Sequence, residues 1–123
     1  MNDSEGIRDT VGRYFDGLYH SRGADLRAAF HENARITGIV GDSGERSEMD
    51  LEQFVRFAEK QPSAAAAGEA YEMTIQALDV KGAVASVKVE DVYIGKRFTD
   101  LLLLLKESGT WRIYSKLWHA DPL

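Results

Sequence analysis

The stretch Val92-Tyr93-Ile94-Gly95-Lys96-Arg97-Phe98-Thr99-Asp100, which runs directly into Leu101–Leu105, decides how the chain folds. Successive leucines in a strand put apolar side chains on both faces of a sheet, so this strand has to be covered on both sides and is expected at the centre. Asp100 stands at the head of the leucine run, where an ionised carboxylate is costly unless it is paired, hydrated or shifted in pKa. The remaining segments are read as what builds a wall opposite Asp100 and closes a cavity around it.

Around this strand the residue period is two. Tyr71, Met73, Ile75 and Ala77 alternate with Glu72, Thr74 and Gln76, and from there to the C-terminus the chain reads as a β-meander. Turn chemistry predicts a three-residue loop at Val80-Lys81-Gly82 and two-residue turns at Gly95-Lys96 and Ser108-Gly109. That register places Asp91 opposite Asp100, Tyr93 opposite Phe98, Tyr71 opposite Asp91 and Leu117 opposite Asp100. His119 becomes the diagonal neighbour of Asp100, about 7–8 Å away at the backbone. The count allows no bulge, and a single bulge would reverse the parity of everything beyond it.

On this register one face carries Met73, Ile75, Val87, Val89, Leu102, Leu104, Trp111, Ile113 and Leu117, with Tyr71, Asp91, Asp100 and His119 at its polar end. It is the expected core and cavity face. The other carries Leu101, Leu103, Leu105, Tyr114 and Trp118 inside a rim of Lys88, Glu90, Arg112 and Lys116. Such a surface is too apolar to face water alone.

The N-terminal half has a different period. Ile7, Val11, Tyr14, Phe15, Leu18 and Tyr19 follow the spacing of a long amphipathic helix, with Asp3 or Ser4 as its cap. Gly23 ends that unit, and Leu26, Ala29 and Phe30 mark a short second helix closing near His31, where the histidine would complement the helix dipole. Ala34–Val40 reads as a short strand, broken by Gly41-Asp42-Ser43-Gly44. Asp50 and Gln53 form a capping-box pattern ahead of a third helix with Leu51, Phe54, Val55 and Ala58 on one face, stopped at Pro62. Ser63–Gly68, with four consecutive alanines, reads as a mobile loop beside the cavity mouth.

The chain has 123 residues with 44% hydrophobic content, which fits one domain, residues 1–123, with a real core. A net charge of −5, spread along the whole length, argues against a nucleic-acid or anionic-membrane partner. No cysteine is present, so disulfide and thiolate chemistry are excluded, and a reducing cytoplasm suits the chain. Asp3, Glu5, Asp9 and Asp16 exclude a signal peptide over the opening residues, and the leucine run is far too short to span a membrane. No two of the three histidines have a ligand spacing such as i, i+4, and no phosphate loop, serine elbow or dinucleotide fingerprint occurs. Neither a metal nor a cofactor is expected.

The order helix, helix, short strand, helix, long meander, with "AFHENARITG" at the entry to the first strand and the ending "GKRFTDLLLLLKESGTWRIYSKLWH", resembles the nuclear transport factor 2-like superfamily. This is also called the cystatin-like cone, and the likeness is greatest to its lumazine-binding branch. The resemblance implies an α+β fold: N-terminal helices packed in a strongly curved, mainly antiparallel sheet, a cone-shaped cavity and usually a dimer. It does not imply one function, since the superfamily holds isomerases, dehydratases, cyclases, epoxide hydrolases and non-catalytic modules. Members resembling ketosteroid isomerase use a tyrosine, a carboxylate base and a protonated aspartic acid as donor. Tyr14 and Asp100 match the tyrosine and the donor acid, but Ile36, Thr37 and Gly38 stand where the base would be sought. Dehydratase-like members pair an aspartate with a histidine, a role open to Asp100 with His119 or His31.

The expected site therefore has Asp100, His119 and Tyr14 as candidate catalytic groups, with Asp91, Tyr71, Tyr93, Phe98 and Trp111 around the ligand. Asp91 and Asp100 on neighbouring strands could share one proton. Three functions stay open: a small-molecule-binding protein, a cofactor-independent lyase or isomerase using an Asp–His pair, and an interaction module. A homodimer through the outer sheet face is expected in each case.

Overall fold

The computed structural model describes residues 2–123. Helix α1 (Asp3–Tyr19) starts where the Glu5 backbone N–H donates to the side-chain oxygen of Asn2 at 2.8 Å, so the cap lies one residue ahead of those expected. Its stripe of Ile7, Val11, Tyr14, Phe15 and Leu18 is buried, as the 3.6-residue period dictates. Gly23 opens α2 (Gly23–Ala29) instead of ending the unit before it. The chain then passes straight into β1 (Phe30–Val40), a longer strand than the segment expected. His31 consequently lies on a strand and caps no helix. It packs edge-on to Tyr114 and pairs with Glu107 at 3.2 Å.

Strand β2 (Arg46–Asp50) has no apolar pattern in the sequence, yet it pairs antiparallel with β1. Its last residue caps α3 (Leu51–Glu59). The Gln53 N–H donates to Asp50 Oδ1 at 2.8 Å and the Asp50 N–H donates to Gln53 Oε1 at 2.9 Å, completing the capping box. The alanine run after α3 forms consecutive turns tied to the end of α1, where the Ala65 N–H donates to the Tyr19 carbonyl. It is a fastened connection and not the loose loop expected.

The meander consists of β3 (Met73–Lys81), β4 (Val84–Tyr93), β5 (Lys96–Glu107) and β6 (Thr110–Pro122). The six strands run in the order β2-β1-β6-β5-β4-β3, antiparallel throughout except for the parallel pair β1–β6. The leucine strand, β5, lies between β4 and β6 as expected. The three helices pack on one face, over a core that includes Val87, Val89, Leu102, Leu104, Trp111 and Ile113. The architecture is α+β, with helices in the concave side of a mixed, mainly antiparallel sheet.

Three details of register differ from the sequence count. The β4–β5 corner is Ile94-Gly95, both left-handed (φ 47° and 74°), not Gly95-Lys96. Pairing shifts by two residues, so Asp91 lies opposite Phe98 and Asp100 opposite Val89, while each keeps its face. The β3–β4 turn is shorter than expected, with Lys81 opposite Val84, and a bulge between Ile75 and Ala77 restores the face but not the partner, so Asp91 lies opposite Met73 and not Tyr71. The third difference decides the site. Between Leu103–Ser115 and Leu104–Ile113 the pairing of β5 and β6 slips by one residue at Tyr114. From there onward every β6 side chain exchanges faces: Lys116, Trp118 and Ala120 turn inward, and Leu117 and His119 turn outward.

Candidate functional site

Asp100 projects from β5 into the core and is wholly inaccessible to solvent. From α1 the Tyr14 hydroxyl donates to its Oδ2 at 2.5 Å. From β6 the Lys116 ammonium stands 4.0 Å from the same oxygen. Lys116 is only 3% exposed, and its Nζ lies 4.7 Å and 4.8 Å from the centroids of the Phe54 and Tyr14 rings. Negative ring faces stabilise a buried cation that has lost its water. A single carboxylate thus brings together groups from α1, β5 and β6.

Asp91, on β4, is the diagonal neighbour of Asp100 on the same face and is 2% exposed. Burial pushes its carboxyl up to about 8, the adjacent negative charge of Asp100 pushes in the same direction, and Lys116 opposes both. A carboxyl that titrates there carries its proton at neutral pH and can donate it to Asp100. Asp91 Oδ2 and Asp100 Oδ1 find no other hydrogen-bond partner, which a shared proton explains. Burial also holds the Tyr14 phenol well above its ordinary range, reinforced by the charges of Asp100 and Asp91. Burial and Asp91 raise Tyr93 in the same way. Both tyrosines are therefore neutral donors.

Beside this cluster, enclosed by α3, β1, β2, the β4–β5 corner and β6, is a cavity of about 220 Å³. Its walls are largely aromatic and aliphatic, including Phe54, Phe57, Phe98, Trp118 and Ile36. The Trp118 ring lies against Gly38 in the neighbouring parallel strand, where any Cβ would overlap it. Glycine at 38 is what lets the indole form a wall. Of the four clustered groups only Lys116 lines the cavity; Tyr14, Asp91 and Asp100 stand behind it. Tyr93 is also on the lining, and its hydroxyl is buried without a partner.

The expected site residues divide accordingly. Tyr14, Asp91 and Asp100 meet in one buried cluster, and Tyr93 and Phe98 line the cavity next to it. His119 does not join them. It is on the outer face, its side chain 52% exposed and 3.0 Å from Asp121, because the Tyr114 bulge reverses its parity. An Asp100–His119 catalytic pair does not exist in this fold, and His31 contacts Tyr114 and Glu107 and makes no contact with Asp100. Trp111 lies in the core and donates from Nε1 to Asp3 at 3.2 Å, fastening the start of α1; it is not part of the cavity. Tyr71 precedes β3, is exposed, and reaches Asp16 at 3.4 Å. Asp91, expected around the ligand, is buried behind the cavity wall. Sequence reasoning missed Lys116, assigning it to the outer rim. The available signal was electrostatic: a carboxylate as buried as Asp100 requires a cation nearby.

Among the described residues no cluster of three or more histidine, aspartate or glutamate side chains is placed to hold a metal ion, and no helix is long and apolar enough to cross a membrane.

The family model described as "Putative lumazine-binding" matches residues 2–119. Among solved structures, the chain is similar to an NTF2-like protein of unknown function from Methylobacillus flagellatus, with 30% identity over 97% of this chain and 92% of that one and a TM-score of 0.79. It is also similar to an NTF-2 like protein of unknown function from Silicibacter pomeroyi, with 26% identity over 98% and 100% of the two chains and a TM-score of 0.83. A third, from Shewanella baltica, shares the fold at 23% identity, a TM-score of 0.84, and 98% and 95% coverage. No curated protein matches. With the cone, its helices and nearly the whole length accounted for, the chain belongs to the family described as "Putative lumazine-binding" and has the NTF2-like fold.

Proposed function

We propose that the protein binds a small molecule in the cavity between α3, β1, β2 and β6. The observation that carries this reading is the cavity's construction: apolar walls around about 220 Å³ with one buried ammonium, Lys116, as the convergent polar group. An apolar concavity with a few placed polar groups is the usual form of a ligand site. The family description favours a flat heterocycle of the lumazine kind, which aromatic walls such as Phe98 and Trp118 would accept by stacking.

The test is thermal-shift and calorimetric titration with lumazine, other pteridines and flavins, followed through Trp118 fluorescence. A ligand at a hundred times its Kd adds about 2.7 kcal/mol to stability. Val40→Phe, which puts a larger side chain on the cavity lining, should abolish the effect. A wild-type chain indifferent to the whole panel refutes the heterocycle, and a shift that survives Val40→Phe refutes this cavity as the site.

The outer face supports a homodimer. Leu101, Leu103, Tyr114 and Leu117 are exposed there together, with Leu103 55% and Leu117 53% accessible, and no helix of the described chain covers them. Leu117 occupies the place that the sequence count gave to Trp118. A two-fold contact would bury each strip against its own copy.

A further inference from the structure

We propose that the cavity selects a small amphiphilic monoanion, a carboxylate on an aromatic or branched apolar body, whose oxygens accept hydrogen bonds from Lys116. The inference rests on the ligand-binding reading above and names the ligand's chemical class.

Charge on the lining comes first. The chain as a whole is acidic at −5, yet the cavity is lined by two lysines, Lys116 and Lys96, and by no aspartate or glutamate. Lys116 is buried on the inner side, while Lys96 is partly exposed and, among the described residues, forms no ion pair. A cationic lining between low-dielectric walls concentrates anions and repels cations.

The state of Lys116 is the second observation. The residue is buried, but Asp100 Oδ2 at 4.0 Å is beyond hydrogen-bond reach of its ammonium and two aromatic faces supply charge stabilisation without acceptors. An ammonium on the cavity lining that is held by ring faces keeps N–H groups free to donate, so an oxygen arriving from the cavity gains a charge-assisted hydrogen bond. Tyr93 adds a second donor on the same lining without a partner. No carboxylate lines the cavity to receive a ligand cation, since Asp91 and Asp100 are behind Lys116.

Asp100 balances the charge of Lys116 without taking up its N–H groups. The Tyr14 hydrogen bond spreads its negative charge, and the proton on Asp91 leaves the two carboxyls with one charge between them, balanced by Lys116. An incoming carboxylate therefore meets a cluster with no net negative charge, in which Lys116 is the donor on the cavity side. The volume suits a two-ring body, since an engineered cavity of about 150 Å³ accommodates benzene.

The test compares naphthoate with its neutral amide, naphthamide, and with cationic naphthylmethylamine, by calorimetry and Trp118 quenching at neutral pH. Naphthoate should bind about tenfold or more tightly than naphthamide, the scale of one charge-assisted hydrogen bond, and the amine should not compete. In the double variant Lys116→Met/Asp100→Asn, which removes both partners and leaves no lone buried charge, the acid-to-amide ratio should fall to near one. Lys88→Gln, on the exposed outer surface, should keep it. Equal binding of acid and amide by the wild type overturns the proposal, whether or not the double variant folds. So does a ratio that survives the double variant or collapses in Lys88→Gln. If lumazine or a flavin binds but naphthoate does not, anion selection falls while the cavity reading stands; if nothing binds, both fall.

Discussion

Asp91→Asn should stabilise the protein increasingly as pH rises. In the folded chain Asp91 titrates near 8, against 3.8 in the absence of the fold, because burial and the neighbouring charge of Asp100 oppose its ionisation. Between those two values the folded state holds a proton that the unfolded state has released. Stability is therefore full below about pH 4 and is lost as pH rises towards 8, at about 1.4 kcal/mol per pH unit. By pH 7 the protonated carboxyl costs on the order of 4 kcal/mol, from about three units at that slope. Asparagine has the same size, stays neutral and can donate an amide N–H to Asp100 in place of the shared proton. Any pH-independent effect of the substitution cancels when stabilities at two pH values are compared. Urea denaturation of both proteins should show the advantage of the variant widening by about 3 kcal/mol from pH 5 to pH 7. A gap that stays constant or narrows over that interval would mean that Asp91 is ionised in the folded protein, and the neutral cluster drawn behind Lys116 would be wrong.

Gly38→Ala should cost about 1–3 kcal/mol and shift Trp118 emission, because the added methyl overlaps the indole and forces it out of the cavity wall; unchanged emission would show that the ring does not rest there. Ile94→Asn should raise stability by about 1 kcal/mol in thermal melts, since a β-branched residue at φ 47° is strained in a turn that asparagine adopts readily. Leu103→Lys should convert a wild-type dimer to monomer in sedimentation, because it places a charge in the middle of the outer strip; a wild type that is monomeric at micromolar concentration contradicts the assembly.

Local pattern was enough to place the helices, the meander and the leucine strand between two neighbours. Those features depend on side-chain period and cap chemistry, which a chain carries in consecutive residues: the Ile7–Leu18 stripe, the Asp50–Gln53 box and the alternation through β4 are all of this kind. Asp91 and Asp100 also kept their face despite the misplaced corner, since a slip of two residues preserves parity. The site's remaining half depended on a single unpaired residue. Read locally, Leu117 belongs inside and Lys116 outside; the bulge at Tyr114 inverts both, and no glycine or other distinctive residue marks it. Such a bulge is settled by how β6 must bend to pair with β5 on one edge and, in parallel, with β1 on the other. That parallel pairing joins residues distant in sequence and has no local signature, and the same holds for β2, whose short polar stretch becomes a strand only because β1 offers it an edge. The burial of Lys116 is tolerable only because tertiary packing sets Asp100 and two ring faces around its ammonium, so the chemistry at the cavity and the exclusion of His119 from it were both decided by the assembled sheet.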